Sequence, residues 1–325
     1  MRAFQCTEIT QDLSGAAVRE IKTPSPRPGE VLVKIQAASV NFPDILQCQG
    51  LYQHKPPLPF VPGMEMAGTV EAIGEGVTNL QPGDEVMGGA RPGGFAEYGI
   101  MNAQMARKKP EKLTLAEAAA YPTAYLTAYV ALVRRARMEA GETLLVHGAA
   151  GGVGLAAVDL GKQMGAKVIA TASTQPKRDF LETYGADLVL APSGFREAVK
   201  DFTGGKGANV IYDPVGGDVF DESVRCIAFD GRLLSIGFTS GRIPEISVNM
   251  PLIKGFSVMG VRAGEYGRQF PQKGRENREA ISKMAAEGKL RPHIYAEVPL
   301  ADTRKAFDML SNRDVIGKVI VRPDL

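Results

Sequence analysis

The chain has 325 residues, of which 44% are hydrophobic and 23% charged, and 38 basic against 36 acidic side chains leave a net charge of +2. This balance gives no overall field for nucleic acid or an anionic membrane, so neither is expected as a partner. Three cysteines are too few for a disulfide framework or a four-cysteine zinc site. The N-terminus lacks a signal-peptide pattern and no apolar run reaches membrane-span length, so we expect a cytoplasmic protein of about two domains.

Short strands and turns dominate the first part of the chain, up to about residue 110. The odd positions Val31, Val33 and Ile35 share one face of a predicted strand, and Pro28-Gly29 supplies the turn before it. A second Pro-Gly turn at residues 82–83 precedes another short apolar run. Strands broken by turns at this spacing predict a compact β-rich domain.

From Leu113 onward the pattern changes to helices and buried strands. Residues 115–137 have helical spacing, and Pro122 is expected to start or kink that helix. Six apolar runs follow, separated mostly by segments of helical length: residues 144–146, 168–170, 188–190, 210–212, 233–236 and 257–261. Continuous apolar strands between helices predict a parallel sheet covered on both faces, and six strands make a complete dinucleotide-binding sheet.

The segment after about Gly264 is expected to leave this sheet. The sequence predicts a helix over 278–288, a strand over 295–298, a helix over 301–311 and a last strand over 318–321. Because the six-stranded sheet is already complete, we expect these elements to rejoin the first domain.

The strongest local motif is a glycine-rich loop between the first buried strand and the next helix. It reads His147-Gly148-Ala149-Ala150-Gly151-Gly152-Val153-Gly154. Ala149 stands where the dinucleotide fingerprint has its first glycine, whereas Gly151 and Gly154 fill the other two positions. Gly151 is expected to admit a pyrophosphate and Gly154 to let the helix pack closely, with the N–H groups at the helix start facing the phosphates. The alternative is a tight strand–helix turn that binds nothing.

The end of the second buried strand selects the coenzyme. An NAD site has Asp or Glu there, which binds the ribose 2′-hydroxyl. Residues 170–178 contain no acid and provide Ser173, Lys177 and Arg178 instead. Hydroxyl and cationic groups accept a 2′-phosphate through charge-assisted hydrogen bonds, which predicts NADPH as the cofactor. The alternative is that the two cations only begin a solvated helix.

Several segments resemble the medium-chain dehydrogenase/reductase superfamily and, within it, the zinc-free quinone oxidoreductases related to zeta-crystallin. They are residues 38–44, 50–52 and 59–70, the glycine loop, residues 213–217 and the closing 317–321. The resemblance spans essentially the whole chain and implies an α/β protein. A GroES-like β-rich catalytic domain is expected over 1–122 and 264–325. A Rossmann domain with a doubly wound, parallel six-stranded sheet is expected over 123–263, with the active site in the cleft and a homodimer formed through the edge strand 257–261.

The resemblance also predicts that no metal is bound. In the zinc alcohol dehydrogenases of this superfamily, a Cys and a His occupy the positions of Asn41 and Met64. A third ligand is expected near the start of the long helix, where residues 115–137 contain no Cys, His or Asp. Residues 91–112 contain no cysteine for the structural zinc. A catalytic zinc needs three good protein ligands, so we expect neither metal.

Without a metal as Lewis acid, the expected substrates are electron-poor small molecules. An NADPH-dependent quinone reductase is the leading hypothesis. The alternatives are a reductase of activated C=C bonds in enones, enals or acyl thioesters, and a non-catalytic NADPH-binding protein. A thioester of coenzyme A would favour a basic mouth, supplied by Arg91, Arg107, Lys108 and Lys109 unless these are only solvated.

The resemblance implies roles for individual side chains. Asn41 is expected to orient nicotinamide or substrate, Tyr52 to donate a hydrogen bond or a proton, and Thr127 to face the nicotinamide. Asp44 either belongs to this set or only caps a helix. Arg262, after the sixth strand, is expected to meet the pyrophosphate, a substrate oxygen or a surface acid. The predicted cofactor contacts are Ala149, Gly151, Gly152, Val153, Gly154, Ser173, Lys177, Arg178, Gly237, Phe238 and Arg262.

Overall fold

A computed structural model describes residues 1–89 and 93–325, which form two compact units. Unit 1 comprises Met1–Thr123 and Ala285–Leu325, and unit 2 comprises Ala124–Met284. In the described residues no helix is long and apolar enough to cross a membrane.

The strands and helices follow in chain order. The strands are β1 (Arg2–Cys6), β2 (Ala16–Glu20), β3 (Glu30–Ser39), β4 (Glu65–Ile73), β5 (Glu85–Gly89), β6 (Tyr98–Asn102), β7 (Arg107–Lys108), β8 (Thr143–Val146), β9 (Lys167–Thr171), β10 (Leu188–Leu190), β11 (Ala208–Asp213), β12 (Ile227–Ser235), β13 (Ser257–Gly260), β14 (Ile294–Pro299) and β15 (Lys318–Arg322). The α-helices are α1 (Phe42–Cys48), α2 (Leu115–Tyr129), α3 (Gly152–Gln163), α4 (Gln175–Tyr184), α5 (Arg196–Phe202), α6 (Gly217–Ser223), α7 (Asn249–Lys254), α8 (Ala263–Gln269), α9 (Pro271–Ala286) and α10 (Thr303–Ser311).

Unit 1 is built on a mostly antiparallel sheet in the order β14-β15-β3-β4-β5-β7, with β6 also paired to β3. Val31, Val33 and Ile35 of β3 are buried, as their alternation predicts. β15 pairs with β3, with Val321 opposite Ala38. The end of the chain therefore returns to the first domain, as predicted.

Unit 2 contains a six-stranded parallel sheet in the order β10-β9-β8-β11-β12-β13. Leu145, Ile169, Ile211 and Leu233 are fully buried in it, so the six predicted strands are confirmed, and burial is confirmed for the four inner ones. The edge strands differ, since β10 is half-buried and β13 is largely exposed. The strand order runs from β8 through β9 to β10 on one side, and from β8 through β11 and β12 to β13 on the other. Ligands of doubly wound sheets bind at the carboxyl ends of the strands, beside such a reversal.

The helices α8 and α9 lie in a different unit from the one expected. Residues from 264 onward are predicted to belong to the first domain, whereas unit 2 extends to Met284. The guanidinium of Arg134 donates to Asn277 Oδ1 at 2.7 Å and pairs with Glu276 at 2.8 Å, which fastens α9 to unit 2. Because Arg134 and Asn277 are 143 residues apart, the local hydrophobic periodicity of the sequence does not reveal their contact.

Candidate functional site

The glycine loop joins β8 to α3 and is tied to β9, because the N–H of Ala149 donates to the carbonyl of Thr171 at 3.0 Å. A Cβ at Gly154 would lie 2.4 Å from the carbonyl oxygen of Gly148, so only glycine permits this approach of helix and loop. A Cβ at Gly151 would meet nothing nearer than 3.4 Å, which leaves that side of the loop open.

The first turn of α3 presents free N–H groups. Its first intrahelical bond runs from the N–H of Leu155 to the carbonyl of Gly151 at 2.8 Å. The N–H groups of Gly152, Val153 and Gly154 thus have no partner within the helix. In the described part of the chain no side chain caps this end at Gly151. Uncapped N–H groups and the positive end of the helix dipole suit a pyrophosphate.

His147 is fully buried and fastens this loop through both of its ring nitrogens. Ser223 uses its one hydroxyl hydrogen on the carbonyl of Val219 at 2.7 Å. His147 Nε2, 2.8 Å from Ser223 Oγ, therefore carries the hydrogen, and Nδ1 accepts from Thr171 Oγ1 at 3.0 Å. Burial lowers the pKa of His147 to about 3, so the ring is neutral. It joins the ends of β8 and β9 to α6.

Two cations follow the end of β9. The guanidinium of Arg178 donates to the carbonyls of Ala172 and Ser173, both at 3.0 Å, and to Gln175 Oε1 at 2.9 Å. Ser173 is exposed, whereas Lys177 is only 8% exposed. Because Lys177 is buried, the alternative of a solvated helix start does not describe it. A buried ammonium needs hydrogen-bond acceptors around it.

The turn after β11 supports the loop after β12. Asp213 accepts the N–H groups of Val215 and Gly216 at 2.8 and 2.9 Å. The Phe238 ring lies over Gly216, where a Cβ would come within 3.1 Å of it. The predicted contacts Gly237 and Phe238 therefore lie on a braced loop.

Arg262 begins α8, and its side chain is 63% exposed. Its guanidinium lies 4.0 Å from Glu265. Of the three contacts expected for Arg262, this one corresponds to the surface acid.

Unit 1 holds a buried polar cluster around the start of α1, which we call the Asn41 cluster: Asn41, Asp44, Glu65 and Lys318. Asn41 Nδ2 donates to Glu65 Oε2 at 2.8 Å, and Lys318 Nζ donates to Asn41 Oδ1 at 2.7 Å. Lys318 also lies 3.6 Å from Glu65. Sequence reasoning missed Lys318 as a site residue; the available signal was a lysine beginning an apolar strand, which is weak evidence of burial.

Asp44 is fully buried, which removes it from contact with a substrate. Its carboxyl group accepts the N–H of Asn41 at 2.8 Å and that of Gly63 at 3.2 Å. Burial raises the pKa of Asp44 to about 7, against the lowering effect of these bonds and of Lys318. The alternative of a helix-capping residue fits these contacts.

The remaining predicted catalytic residues lie apart along the chain. Tyr52 is partly exposed in the loop after α1, and its N–H donates to the carbonyl of Leu46 at 3.2 Å. Thr127 is half-buried on α2, in unit 2. The structure therefore brings Asn41 and Asp44 together in unit 1, and it places Thr127 in the other unit.

The contacts of Met64 and of the expected basic mouth bear on metal and coenzyme A binding. Within residues 1–89 and 93–325, no three His, Cys, Asp or Glu side chains are grouped as metal ligands. Met64 accepts a weak hydrogen bond from Gln47 Nε2 at 3.8 Å. Arg91 lies outside the described residues, whereas Lys108 and Lys109 pair with Asp84 and Glu85 at 2.9 and 3.2 Å. These pairs neutralise half of the proposed basic mouth.

Two family models match parts of this chain. Residues 27–111 match the alcohol dehydrogenase GroES-like domain, and residues 152–281 match the domain described as zinc-binding dehydrogenase.

Relatives and solved structures match over nearly the whole chain. Quinone oxidoreductase-like protein 2 of Bos taurus is 39% identical and covers 98% of this chain and 92% of its own. Acryloyl-coenzyme A reductase of Metallosphaera sedula is 31% identical, and the match covers 94% of this chain and 96% of the reductase. The crystal structure of Escherichia coli quinone oxidoreductase complexed with NADPH has a TM-score of 0.90 at 28% identity, and the match covers 99% of this chain and 100% of that one. The glycine loop, the two sheets and these likenesses agree, and the chain belongs to the quinone oxidoreductases of the medium-chain dehydrogenase/reductase superfamily.

Proposed function

We propose that the protein is an NADPH-dependent reductase that transfers a hydride to a quinone without a metal ion. The observation that carries the proposal is the acid-free end of β9, where the Arg178 guanidinium is held against the carbonyls of Ala172 and Ser173. A carboxylate at this place would repel a 2′-phosphate, whereas a guanidinium binds it in two-pronged fashion.

The residues of unit 2 fit NADPH. The N–H groups of Gly152 and Val153 would hold the pyrophosphate, with Ala149 and Gly151 below it. Ser173, Lys177 and Arg178 would hold the 2′-phosphate, and Gly237 and Phe238 would complete the coenzyme contacts. When bound, NADPH supplies the hydride.

The donor atoms of unit 1 do not suit zinc. The ammonium of Lys318 donates to the carboxamide oxygen of Asn41 at 2.7 Å. This positive charge would repel a zinc ion bound to the same oxygen. Met64 supplies a neutral thioether in place of the family's histidine, whereas zinc sites use Cys, His and carboxylates. A quinone suits such a site, because it accepts a hydride without a Lewis acid to polarise it.

The chain's own part in the chemistry is orientation and hydrogen bonding. Asn41 and Thr127 would orient the nicotinamide or the acceptor, and the Tyr52 hydroxyl would donate to the oxygen on which negative charge develops. Asp44 acts through Asn41, since it is buried and bonded to the backbone N–H of that residue.

Reduction of an activated C=C bond in an enone, an enal or an unsaturated acyl thioester is the second candidate, and the observation that favours it is the likeness to acryloyl-coenzyme A reductase. The pairing of Lys108 and Lys109 with acids weighs against a basic cradle for coenzyme A. A non-catalytic NADPH-binding protein is the third.

We also propose a homodimer formed through β13. Among the described strands, β13 ends the sheet with one neighbour, β12. Apolar side chains around it are largely exposed: Phe229 82%, Val248 83%, Leu252 81% and Ile253 72%. An unpaired strand edge beside exposed apolar groups is suited to pairing with its symmetry mate.

Initial rates of NADPH oxidation with a quinone, an enal and an α,β-unsaturated acyl-coenzyme A test the proposal. We expect turnover with the quinone. Turnover with the enal or the thioester but not with the quinone would establish the second candidate, and NADPH binding without turnover would establish the third. Arg178→Ala should raise the Kd of NADPH about 10- to 100-fold and leave that of NADH nearly unchanged. Arg196→Ala, another arginine of unit 2, is the matched control.

A further inference from the structure

We propose that Lys318 is a positioning residue that fixes the carboxamide of Asn41, so that Asn41 offers a bound molecule a hydrogen-bond acceptor and no donor. The inference rests on the proposed function, in which Asn41 faces the nicotinamide or the electron acceptor. It adds a role for Lys318 and a direction for the hydrogen bond that Asn41 makes.

The partners of Asn41 permit only one orientation of its amide. An ammonium group only donates, whereas a carboxylate and a carbonyl only accept. Lys318 Nζ lies 2.7 Å from Oδ1, and Glu65 Oε2 and the Ser39 carbonyl lie 2.8 and 3.3 Å from Nδ2. Turning the amide over would oppose donor to donor and acceptor to acceptor. Both hydrogens of Nδ2 are therefore used, and Oδ1 retains one lone pair.

Glu65 extends this network to α2. Pro122 lies inside α2, where a proline displaces the preceding turn and disturbs the hydrogen-bond ladder. The N–H of Thr123 donates to Glu65 Oε1 at 2.6 Å. Both carboxylate oxygens are thus engaged, one by α2 and one by Asn41.

Lys318 also balances the charge of Glu65. The side chains of Lys318 and Glu65 are 8% and 1% exposed and lie 3.6 Å apart. Removing one partner of such a pair leaves an uncompensated buried charge, whereas removing both charges together is far less costly. This asymmetry lets charge balance be separated from the orientation of Asn41.

The orientation limits what Asn41 does in the reaction. With no free N–H, it cannot stabilise a developing oxyanion, which requires a donor. Its free lone pair suits a donor on the bound molecule, such as the carboxamide N–H of nicotinamide. The oxyanion donor must then be another group, and Tyr52 is the one that the proposed function provides.

Four variants test the inference: Lys318→Met, Glu65→Gln, the double variant Glu65→Gln/Lys318→Met, and Lys109→Met as matched control. Lys109 is also a largely buried lysine of unit 1 paired with a glutamate, Glu85. Lys318→Met should lower kcat with a quinone about 10- to 100-fold. The Kd of NADPH, set by phosphate contacts in unit 2, should change less than about threefold. Lys109→Met should lower stability without lowering kcat.

The double variant separates the two roles of Lys318. The introduced glutamine accepts from Thr123 through its oxygen and donates to Asn41 through its nitrogen, which turns the Asn41 amide over. Urea unfolding should therefore show recovered stability relative to both single variants, while kcat stays low. Recovery of kcat together with stability would overturn the inference, because charge balance alone would then account for Lys318. A wild-type kcat in Lys318→Met would also overturn it.

A readout without turnover distinguishes failure of this inference from failure of the proposed function. Both side-chain N–H signals of Asn41 should be protected from hydrogen exchange in the wild-type protein. Both should lose protection in the double variant, because the turned amide directs its nitrogen away from position 65 and the Ser39 carbonyl. If the wild-type enzyme reduces no acceptor, the proposed function fails, and this exchange pattern still decides the orientation of Asn41. Fast exchange of either signal in the wild-type protein would contradict it.

Discussion

Gly151 and Gly154 lie three residues apart in the glycine loop, yet their replacement by alanine should have different effects. Gly151→Ala should weaken NADPH binding, whereas Gly154→Ala should lower the stability of the fold. At Gly154 the added Cβ would lie 2.4 Å from the Gly148 oxygen and 2.7 Å from the Ala149 Cα, both of which are backbone atoms that cannot rotate away. Overpacking of this kind costs about 1–3 kcal/mol.

At Gly151 the nearest atom would be 3.4 Å from the added Cβ, which is an ordinary contact. Its φ of −78° and ψ of 165° are also open to alanine. A less favourable helix cap and a less flexible unfolded chain nearly cancel, so stability should change by less than about 1 kcal/mol. The methyl group would instead occupy the space that a pyrophosphate approaches. A clash of about 1–3 kcal/mol corresponds to NADPH binding weakened roughly 5- to 150-fold.

Urea unfolding and NADPH titration measure the two effects separately. The chain contains no tryptophan, so unfolding is followed by circular dichroism and binding by the fluorescence of the reduced nicotinamide. The account predicts a stable Gly151→Ala that binds NADPH poorly and a destabilised Gly154→Ala. Wild-type NADPH affinity in Gly151→Ala, or wild-type stability in Gly154→Ala, would refute the reasoning.

Three further predictions concern pH and assembly. The folded-state pKa of Asp44 is about 7, above its ordinary value of 3.8. The contribution of Asp44 to stability is therefore full below about pH 4 and is lost as the pH rises to about 7. The variant Asp44→Asn should remove this decline from the free energy of unfolding in urea, measured between pH 4 and 8. The pKa of His147 shifts the other way, from 6.5 to about 3, so its contribution is lost as the pH falls from about 6.5; His147→Gln should flatten that acid limb, and an unchanged limb would contradict the neutral buried ring. Leu252→Asp places a charge on the exposed apolar surface beside β13 and should convert a dimer to a monomer in sedimentation velocity; an unaltered dimer would exclude this edge as the interface.

The parts predicted correctly from sequence are those that local patterns determine. The alternation of Val31, Val33 and Ile35 places them on the buried face of β3, because side chains of a strand alternate between its two faces. The inner strands of the unit 2 sheet stand out because both faces of a parallel sheet are covered there. The glycine loop was recognisable because its constraint is steric and lies within eight residues.

The parts that sequence reasoning missed depend on distant contacts. Lys318 and Asn41 are 277 residues apart, and neither periodicity nor spacing relates them. The helix predicted from residue 278 begins at Pro271, since a proline at the first position of a helix loses no hydrogen bond. The burial of Lys177 was also missed, because the cation occurs in a polar helix that looks solvated in sequence. The cytoplasmic location stays a prediction.

The central claim is that a phosphorylated coenzyme delivers the hydride without a metal. The most direct test is the ratio of kcat/KM for NADPH to that for NADH, measured with a quinone before and after dialysis against a chelator. We predict a ratio above about 10, as two or more charge-assisted bonds to a phosphate would give, and no change on chelation. A ratio near or below one, or activity that chelation removes and zinc restores, would contradict the account.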